Sequence, residues 1–247
     1  MHYRSLLALG VIGPSPASAL DCTREFLKTS ADSLLAALET GDPSILKPVS
    51  EALVYHQNFA ETKIETGILS KGVKIDYSRH SLDTAQCATY TEVVSATGAA
   101  PYVIGTQMFF TDGAVSKIDT LVTTTGDWLF NATSTLYWTS REDWGAIPED
   151  KHESFELLPV PTWTSSAIRA SCEVGIPSGV SLTNRRYVID ETVGAVSVFL
   201  NFATLPDSHE FRVEKGKLRY VHTVTVTNTR GRSRRNIKGM QARPPQW

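Results

Sequence analysis

The sequence predicts an α+β protein in which helices precede curved antiparallel sheets, and in which the sheet-forming part occurs twice. Residues 102–122 consist of two runs rich in β-branched and aromatic residues that flank Asp112-Gly113. This dipeptide readily supplies the positive φ angles of a tight hairpin turn. A similar pattern returns at residues 209–226, with Gly216 in the place of Gly113. The chain of 247 residues is therefore predicted to contain two related sheet units.

An amphipathic helix is predicted before the first sheet. Apolar residues recur there at the spacing of one helical stripe, which comprises Leu27, Ala31, Leu34, Leu35 and Leu38. Gly41 follows as a C-terminal stop. Asp42-Pro43 then supplies an N-cap and a proline at the first helical position, which predicts a short second helix toward Lys47.

Strands are predicted from there to the hairpin. Residues 53–59 and 64–75 are short and strand-like, with glycines marking turns. The alternation of residues 87–94 predicts a longer strand. Helices followed by a run of antiparallel strands favour one curved sheet that wraps around the helices. We place this first unit at residues 20–149.

The segment after the hairpin is rich in aromatic residues. Residues 126–149 contain five large rings, namely Trp128, Phe130, Tyr137, Trp138 and Trp144. Such density predicts a packed joint between units, since each ring buries a large apolar area. A platform on which a ligand stacks is the alternative. Residues 150–171 have Pro159 and Pro161 without clear periodicity, and they predict a linker.

The second unit, residues 172–228, is predicted to be a sheet without helices of its own. Its expected strands are residues 185–191, 195–202, 210–214 and 217–226. A curved sheet without covering helices would expose an apolar face to water, at a cost of roughly 25 cal/mol per Å². Either the first unit covers that face, or an element is missing.

The N-terminus has the pattern of a secretory signal at residues 1–19. Arg4 precedes an apolar run at residues 6–12, and Ala17-Ser18-Ala19 is a small-x-small cleavage site. An uncleaved apolar N-terminus is the alternative. No later run approaches the roughly 18 apolar residues of a membrane helix, so we expect no membrane span. These patterns predict a protein of the secretory pathway or the extracellular space.

The C-terminal tail, residues 229–247, carries six basic and no acidic side chains and is expected to be disordered. Without these six and the one arginine of the leader, 17 of the 24 basic side chains remain against 26 acids. A basic tail can bind nucleic acid or anionic surfaces, but this acidic body argues against a nucleic-acid partner. Arg232-Ser233-Arg234-Arg235 resembles a dibasic processing site; a solvated tail or a gene-model extension is the remaining alternative.

Cysteine usage and one sequon agree with that compartment. The chain has three cysteines, Cys22, Cys87 and Cys172, so at most one internal bridge forms and one thiol is left over. Asn131-Ala132-Thr133 is the only N-x-S/T tripeptide, and we expect a glycan on a surface turn there. A chance occurrence of the tripeptide is the alternative.

Several longer runs carry a resemblance to known families. They include C-A-T-Y-T-E-V-V, K-I-D-T-L-V-T, G-D-W-L-F-N-A-T, I-P-E-D-K, G-I-P-S-G-V-S-L-T-N-R-R-Y-V-I-D-E and L-R-Y-V-H-T-V-T-V. These runs resemble a secreted fungal family with a DUF8021-type domain, over roughly residues 22–226. The order of helices, strands and Asp-Gly hairpin resembles the NTF2-like, SnoaL-like cone fold. The resemblance thus implies tandem NTF2-like cones with N-terminal helices.

The resemblance also implies what is missing. By this likeness Cys22 would pair with Cys87. Family members typically carry an amphipathic helix and a further cysteine between the I-P-E-D-K and G-I-P-S-G runs, where this chain has residues 154–170. Their absence would leave Cys172 without a partner and the second cone incomplete. The absence is either real or a gene-model artefact.

In SnoaL-like and ketosteroid-isomerase-like cones, an Asp or His on the inner sheet face moves a proton beside a carbonyl, its pKa raised by an apolar pocket. Alignment of the two hairpins on their glycines places Asp119 opposite His222. Alternation puts Asp119 on one strand face with Val115, Lys117 and Leu121. Two exposed strand ends would show the same correspondence, so that alternative stays open.

Other polar residues are candidates for the same chemistry. His80 could pair with Asp76 or Asp83 as a base and the group that orients it. The cone interpretation further makes four tyrosines candidates for lining pockets: Tyr90, Tyr102, Tyr187 and Tyr220.

Common catalytic motifs are absent from the sequence. There is no H-x-H or H-x-x-x-H pair, no G-x-S-x-G elbow, no glycine-rich phosphate loop and no C-x-x-C pair. We therefore expect no metal and no cofactor. One hypothesis is a cofactor-independent isomerase, cyclase or dehydratase of fungal secondary metabolism that acts on an apolar small molecule, with Asp119 as acid or base. The other is a non-catalytic binder of such a molecule, or a secreted effector with a protein partner. The oligomeric state is left open.

Overall fold

The computed structural model describes residues 22–145, 182–214 and 217–227. Within these ranges, ten strands form two sheets, and two α-helices accompany them. The helices are α1 (Arg24–Thr40) and α2 (Ala132–Thr139). The strands are β1 (Val49–Gln57), β2 (Ala60–Glu61), β3 (Tyr77–Asp83), β4 (Ala88–Ser95), β5 (Tyr102–Thr111), β6 (Ala114–Thr123), β7 (Leu182–Asp190), β8 (Ala195–Phe202), β9 (Leu205–Glu214) and β10 (Lys217–Thr225). The α+β class expected from the sequence is confirmed.

Helix α1 begins and ends at the residues that its capping chemistry favours. The Thr23 hydroxyl accepts a hydrogen bond from the Phe26 amide at 3.1 Å. Gly41 adopts a left-handed conformation with φ of 73°, and its amide donates to the Ala37 carbonyl at 2.9 Å. The predicted helix and its glycine stop are therefore confirmed.

The connection from α1 to the sheet consists of short 3-10 turns. Asp42 caps the turn Pro43–Ile45 by accepting from the Ser44 amide at 2.9 Å, as the sequence predicted. The strand expected at residues 64–75 is wrong, because Ile64–Thr66 and Ile68–Ser70 form two further 3-10 turns. The apolar residues of this segment are buried against α1 from turns, so their pattern resembled that of a strand.

The first sheet has the order β2-β1-β6-β5-β4-β3. Its β5–β6 hairpin turns at Asp112 and Gly113, whose φ angles are 51° and 73°, so this prediction is confirmed. Strand β1 pairs with β6 in parallel, whereas a purely antiparallel run was expected. This pairing places His56 beside Asp119. The edge strand β3 was not predicted, because its many polar residues hide the alternation.

A bulge in the hairpin changes which side chains share a face. Phe109 lies opposite Lys117 and Phe110 opposite Val115, so Ser116 is an extra residue on β6. Val115 therefore lies in the core beneath α1, while Lys117 and the residues that alternate with it face the other way. The predicted grouping of Val115 with Asp119 is wrong for this reason.

Helix α1 packs on one face of the first sheet and forms the first core. Its side chains Leu27, Leu34 and Leu38 are at most 2% exposed, and they meet Met108 and Ile118, which are fully buried. The space between helix and sheet is thus occupied by the protein's own aliphatic side chains.

The second sheet, of order β10-β9-β8-β7, covers the opposite face of the first. The second core lies between them and includes Tyr90 and Leu121 of the first sheet and Val188, Phe199 and Val224 of the second. The first unit therefore covers one face of the helix-free sheet, which is one of the two solutions that the sequence allowed.

Carboxylates join the edges of the two sheets. Asp190 accepts from the Leu82 amide at 2.8 Å and from both terminal nitrogens of Arg24 at 2.6 and 3.1 Å. In return, Asp83 accepts from the Ile189 amide at 2.8 Å. These side chains satisfy amides of β3 and β7 that would otherwise be buried without partners.

A disulfide links Cys22, ahead of α1, to Cys87, ahead of β4. The pairing implied by the family resemblance is thus confirmed. No helix in the described ranges is long and apolar enough to cross a membrane. The predictions for residues 1–19, 150–171 and 229–247 and for Cys172 lie outside the described residues.

Candidate functional site

One row of side chains crosses the first sheet on the face that the second sheet covers. Strand register aligns Ser81 with Tyr90, Tyr90 with Gln107, Gln107 with Asp119, and Asp119 with His56. Residues aligned in this way share a face. Polar groups therefore lead from the buried middle of the sheet to His56, whose side chain is 25% exposed.

The first centre is defined here as the Asp119 centre and consists of His56, Lys117, Asp119 and Arg186. The Asp119 carboxylate is 2% exposed. Its Oδ2 lies 2.9 Å from Lys117 Nζ and 2.7 Å from Arg186 Nε, and its Oδ1 lies 3.0 Å from His56 Nδ1. The three surrounding side chains are 23–35% exposed, so the centre is buried at Asp119 and open to solvent around it.

Local irregularities deliver these side chains. The parallel β1–β6 pairing brings His56 to Asp119, and the bulge at Ser116 sends Lys117 to the same face. A register shift in β7 precedes Arg186, whose guanidinium lies 4.4 Å from the Phe59 ring centroid. The parallel pairing, the bulge and the register shift cannot be predicted from the alternation of apolar and polar residues alone.

The Asp119 centre has the parts of a proton-transfer site. His56 Nδ1 is buried against the carboxylate, so the exposed part of the ring is the part away from Asp119. The Nδ1 to Oδ1 contact is short but lies off the N–H direction, and catalytic hydrogen bonds often align only when substrate binds. Lys117 and Arg186 could stabilise negative charge that develops on a substrate.

The second centre is defined here as the buried charge cluster: Arg79, Glu92, Glu142, Glu210 and His222. Arg79 Nη2 donates to Glu92 Oε2 at 2.6 Å and also to Glu210. His222 donates from Nδ1 to Glu92 at 2.7 Å and from Nε2 to Glu142 at 2.6 Å. The cluster joins β3 and β4 of the first sheet to β9 and β10 of the second.

The charges of the cluster shift the pKa values of its members. Burial alone would lower the pKa of His222, but the charge of Glu92 and hydrogen bonds to Glu142 and Glu92 outweigh it and raise the pKa to about 9. Burial would raise the pKa of Glu92, but the charges of Arg79 and His222 lower it to about 2. The imidazolium and the carboxylate are therefore both charged at neutral pH.

Stability should fall at alkaline pH because of His222. Its folded-state pKa is about 9 against a usual 6.5, so its contribution is complete below pH 6.5 and is lost as the pH rises toward 9. We expect the free energy of unfolding to fall over this window by up to about 3 kcal/mol, measured by urea unfolding. The decline should disappear in His222→Gln and persist in His209→Gln, which removes a histidine from the opposite face of the neighbouring strand. A decline of equal size in both variants would contradict this assignment.

Three side chains of the cluster lie close enough together to be considered as ligands of one metal ion. Ligand atoms of Glu92, Glu210 and His222 lie within 4.8 Å of one another. However, Arg79 already contacts both carboxylates, and both His222 nitrogens donate hydrogen bonds to carboxylates. A metal ligand must be an unprotonated imidazole. The donor set as arranged therefore fits an ion-pair network better than a metal site.

Asp76 and His80 contact different residues, and each has a structural role of its own. Asp76 accepts from the Thr97 hydroxyl and from the amides of Thr97 and Ala96 at 2.6–2.7 Å, and these hydrogen bonds lower its pKa to about 2. His80 contacts the Thr91 hydroxyl at 3.0 Å and Asp32 of α1 at 3.4 Å, and burial lowers its pKa. Asp83 is bound to β7, so the structure places neither aspartate beside His80.

The four candidate tyrosines occupy different environments. Tyr90 is 1% exposed and packs edge-to-face on Phe199. Tyr102 packs against the first core, and Tyr187 is 39% exposed. The Tyr220 ring lies 5.6 Å from the Trp144 ring. The structure therefore does not bring them together around one hollow.

The structure thus places His222 in the buried charge cluster and Asp119 in the other centre. Sequence reasoning missed His56 and Arg186, because the first needs the parallel pairing and the second needs the docking of the second sheet. It also missed Glu142, which follows α2 and contacts His222 of β10.

Asn131 is exposed and caps α2 by accepting from the Ser134 amide at 2.9 Å.

No curated protein and no solved structure matches the chain. One family model does match part of it. Residues 156–225, which include β7, β8, β9 and β10, match the family described as a domain of unknown function, DUF8021.

Proposed function

We propose that this protein is a secreted, cofactor-independent enzyme that moves a proton on an apolar small molecule carrying a carbonyl group. The observation that supports the proposal is the buried Asp119 carboxylate in contact with His56, Lys117 and Arg186. Isomerases, cyclases and dehydratases of this kind require one acid or base and groups that stabilise an oxyanion. The Asp119 centre provides both at a partly exposed position.

Each residue of the centre has a distinct role in this proposal. His56 removes or donates the proton from the exposed part of its ring. Asp119 orients the imidazole and stabilises the imidazolium that forms when the ring accepts a proton. Lys117 and Arg186 stabilise the enolate oxygen of the substrate, and Phe59 beside Arg186 offers an apolar contact for its body.

Solvent exchange at carbon tests this function without knowledge of the natural substrate. The wild-type protein should catalyse deuterium uptake at the acidic C–H of members of a panel of apolar ketones and lactones in D2O, followed by mass spectrometry. Asp119→Asn and His56→Gln should each lower the rate by about 100-fold or more, because general acid–base catalysis contributes at least that much. His209→Gln should retain the wild-type rate. Exchange that is equal in all four proteins would refute the role of the centre.

A non-catalytic binder or an effector with a protein partner is the second candidate. It is favoured by three exposed aromatic side chains in the segment around α2: Trp128, Tyr137 and Trp138 are 41%, 51% and 62% exposed. Aromatic residues with this exposure are enriched at binding surfaces. Absence of exchange in the wild-type protein, together with loss of partner capture in Trp138→Ser, would favour this candidate.

We further infer that the two sheets are tandem NTF2-like cones of fungal origin, the second incomplete. Support comes from the helix α1 packed on one face of the first sheet, from the two hairpins β5–β6 and β9–β10, and from the DUF8021 match.

Secretion is supported by the Cys22–Cys87 disulfide, since such bonds persist in oxidising compartments. A glycan at Asn131 is consistent with its exposure.

A further inference from the structure

A short segment after α2 covers the buried charge cluster and is defined here as the arm, residues 140–145. The arm contributes Glu142 to this cluster and contacts other members of it through the Trp144 ring. Glu142 accepts from His222 Nε2 at 2.6 Å. The Trp144 ring stacks on the Arg79 guanidinium at 3.6 Å and meets the His222 ring at 5.3 Å. Trp144 Nε1 also donates to Glu142 Oε2 at 2.9 Å, so carboxylate and ring form one unit.

The surface beneath the arm is rich in hydrogen-bond donors without acceptors. Arg79 and Arg212 are 8% and 3% exposed, and Nε and Nη1 of each have no hydrogen-bond acceptor among the described residues. Arg212 lies 5.9 Å from the same Trp144 ring. Only one buried carboxylate oxygen of the cluster, Glu92 Oε1, lacks a donor there. Buried donors without acceptors are costly and rare in folded proteins, so this surface is suited to a ligand that supplies acceptor oxygens.

The charge balance around the cluster is compatible with a carboxylate ligand. Arg79 and His222 are balanced by Glu92 and Glu210, while Arg212 has Glu214, which is 36% exposed, at 3.2 Å. The carboxylate of Glu142 is the acceptor that His222 Nε2 uses, and an external carboxylate in its place would leave the total charge unchanged. A flat ring stacked on a guanidinium is a favourable cation–π arrangement when desolvated.

The arm is placed so that it can be exchanged. It belongs to no helix or strand, and its residues Arg141, Asp143 and Gly145 are exposed. Beyond Glu142 and Trp144, it is held to the second sheet by the Asp143 amide, which donates to the Tyr220 hydroxyl at 3.2 Å. A ligand with the same two groups would therefore compete for the same contacts.

We propose that the arm occupies a binding site for an aromatic carboxylate. In this site the ring of the ligand takes the place of the Trp144 ring on the Arg79 guanidinium, and its carboxylate takes the place of Glu142 as the acceptor for His222 Nε2. The site is separate from the Asp119 centre and does not rest on the function proposed for that centre.

Removal of the arm's two contacting side chains tests the proposal. The full chain with Glu142→Ser/Trp144→Ser should bind indole-3-acetate at least about tenfold more tightly than the wild-type chain, because the site is no longer occupied by the competing arm. Isothermal titration calorimetry measures the dissociation constants. Indole-3-acetate should also raise the thermal midpoint of the variant, since a ligand bound to the folded state stabilises it.

Two controls separate this site from general aromatic binding. Trp138→Ser, which removes an exposed tryptophan of α2, should bind indole-3-acetate as weakly as the wild-type chain. Indole and acetate, each supplied alone, should bind the double variant far more weakly than the joined molecule. Equal affinity of wild type and double variant, or equal affinity for indole alone, would overturn the proposal. A double variant that stays unfolded even with the ligand would also overturn it, because the arm would then be part of the core.

Discussion

Replacement of Arg79 by methionine is expected to destabilise the fold by about 3–5 kcal/mol, the range seen when one partner of a buried ion pair is removed. Arg79 contacts Glu92 and Glu210, whose side chains are 1% and 0% exposed. Without the guanidinium, the carboxylates of Glu92, Glu142 and Glu210 would share the site with one imidazolium. Urea unfolding of the wild type and the variant at pH 7 measures the difference.

Two comparison variants sharpen this test. Arg219→Met removes an arginine whose side chain is 59% exposed and which lies 3.9 Å from Glu214, so it should leave stability nearly unchanged. The triple change Arg79→Met/Glu92→Gln/Glu210→Gln should recover part of the loss, because it also removes the unpaired charges. If Arg79→Met lost no more stability than Arg219→Met, the cluster would not hold the sheets together.

Loss of the disulfide is expected to cost about 4 kcal/mol. Cys22 and Cys87 are separated by 65 positions, and the chain-entropy relation gives a value of this size for a loop of that length. The variant Cys22→Ser/Cys87→Ser should therefore unfold at a clearly lower urea concentration than the wild type, with the slope of the transition measured alongside. Cys172→Ser removes a cysteine outside this bridge and serves as the control. A double variant as stable as this control would show that the bridge adds nothing to the fold.

Local chemistry made some elements predictable and left others hidden. The Asp112-Gly113 turn and the Gly41 stop of α1 follow from backbone conformations that few residues adopt, so the sequence identified both. The segment at residues 64–75 was misassigned because apolar residues in turns can be buried as deeply as those in strands. Strand β3 was missed because Arg79 and Ser81 point into a polar layer between sheets, where the usual alternation of apolar and polar residues fails.

The residues of the two centres were likewise only partly predictable from the sequence. Asp119 and His222 were found as candidates from the match between two hairpins, and both lie in the layer between the sheets. Their partners were not found, because His56, Arg186 and Glu142 come from elements far apart in the chain. Register shifts in β6 and β7, which depend on pairing, decide where two of the charged groups point.

The sequence by itself determined the α+β class, helix α1 with its glycine stop, the hairpin turn and, through family resemblance, the disulfide. Each of these depends on short-range backbone preferences or on a motif that survives in the chain. Only the tertiary structure decided that the second sheet covers the face of the first sheet opposite to α1, and that charged residues from both sheets meet there. The physical reason is that burial of a charge depends on the partners that neutralise it, and these are brought together by packing rather than by neighbourhood in sequence.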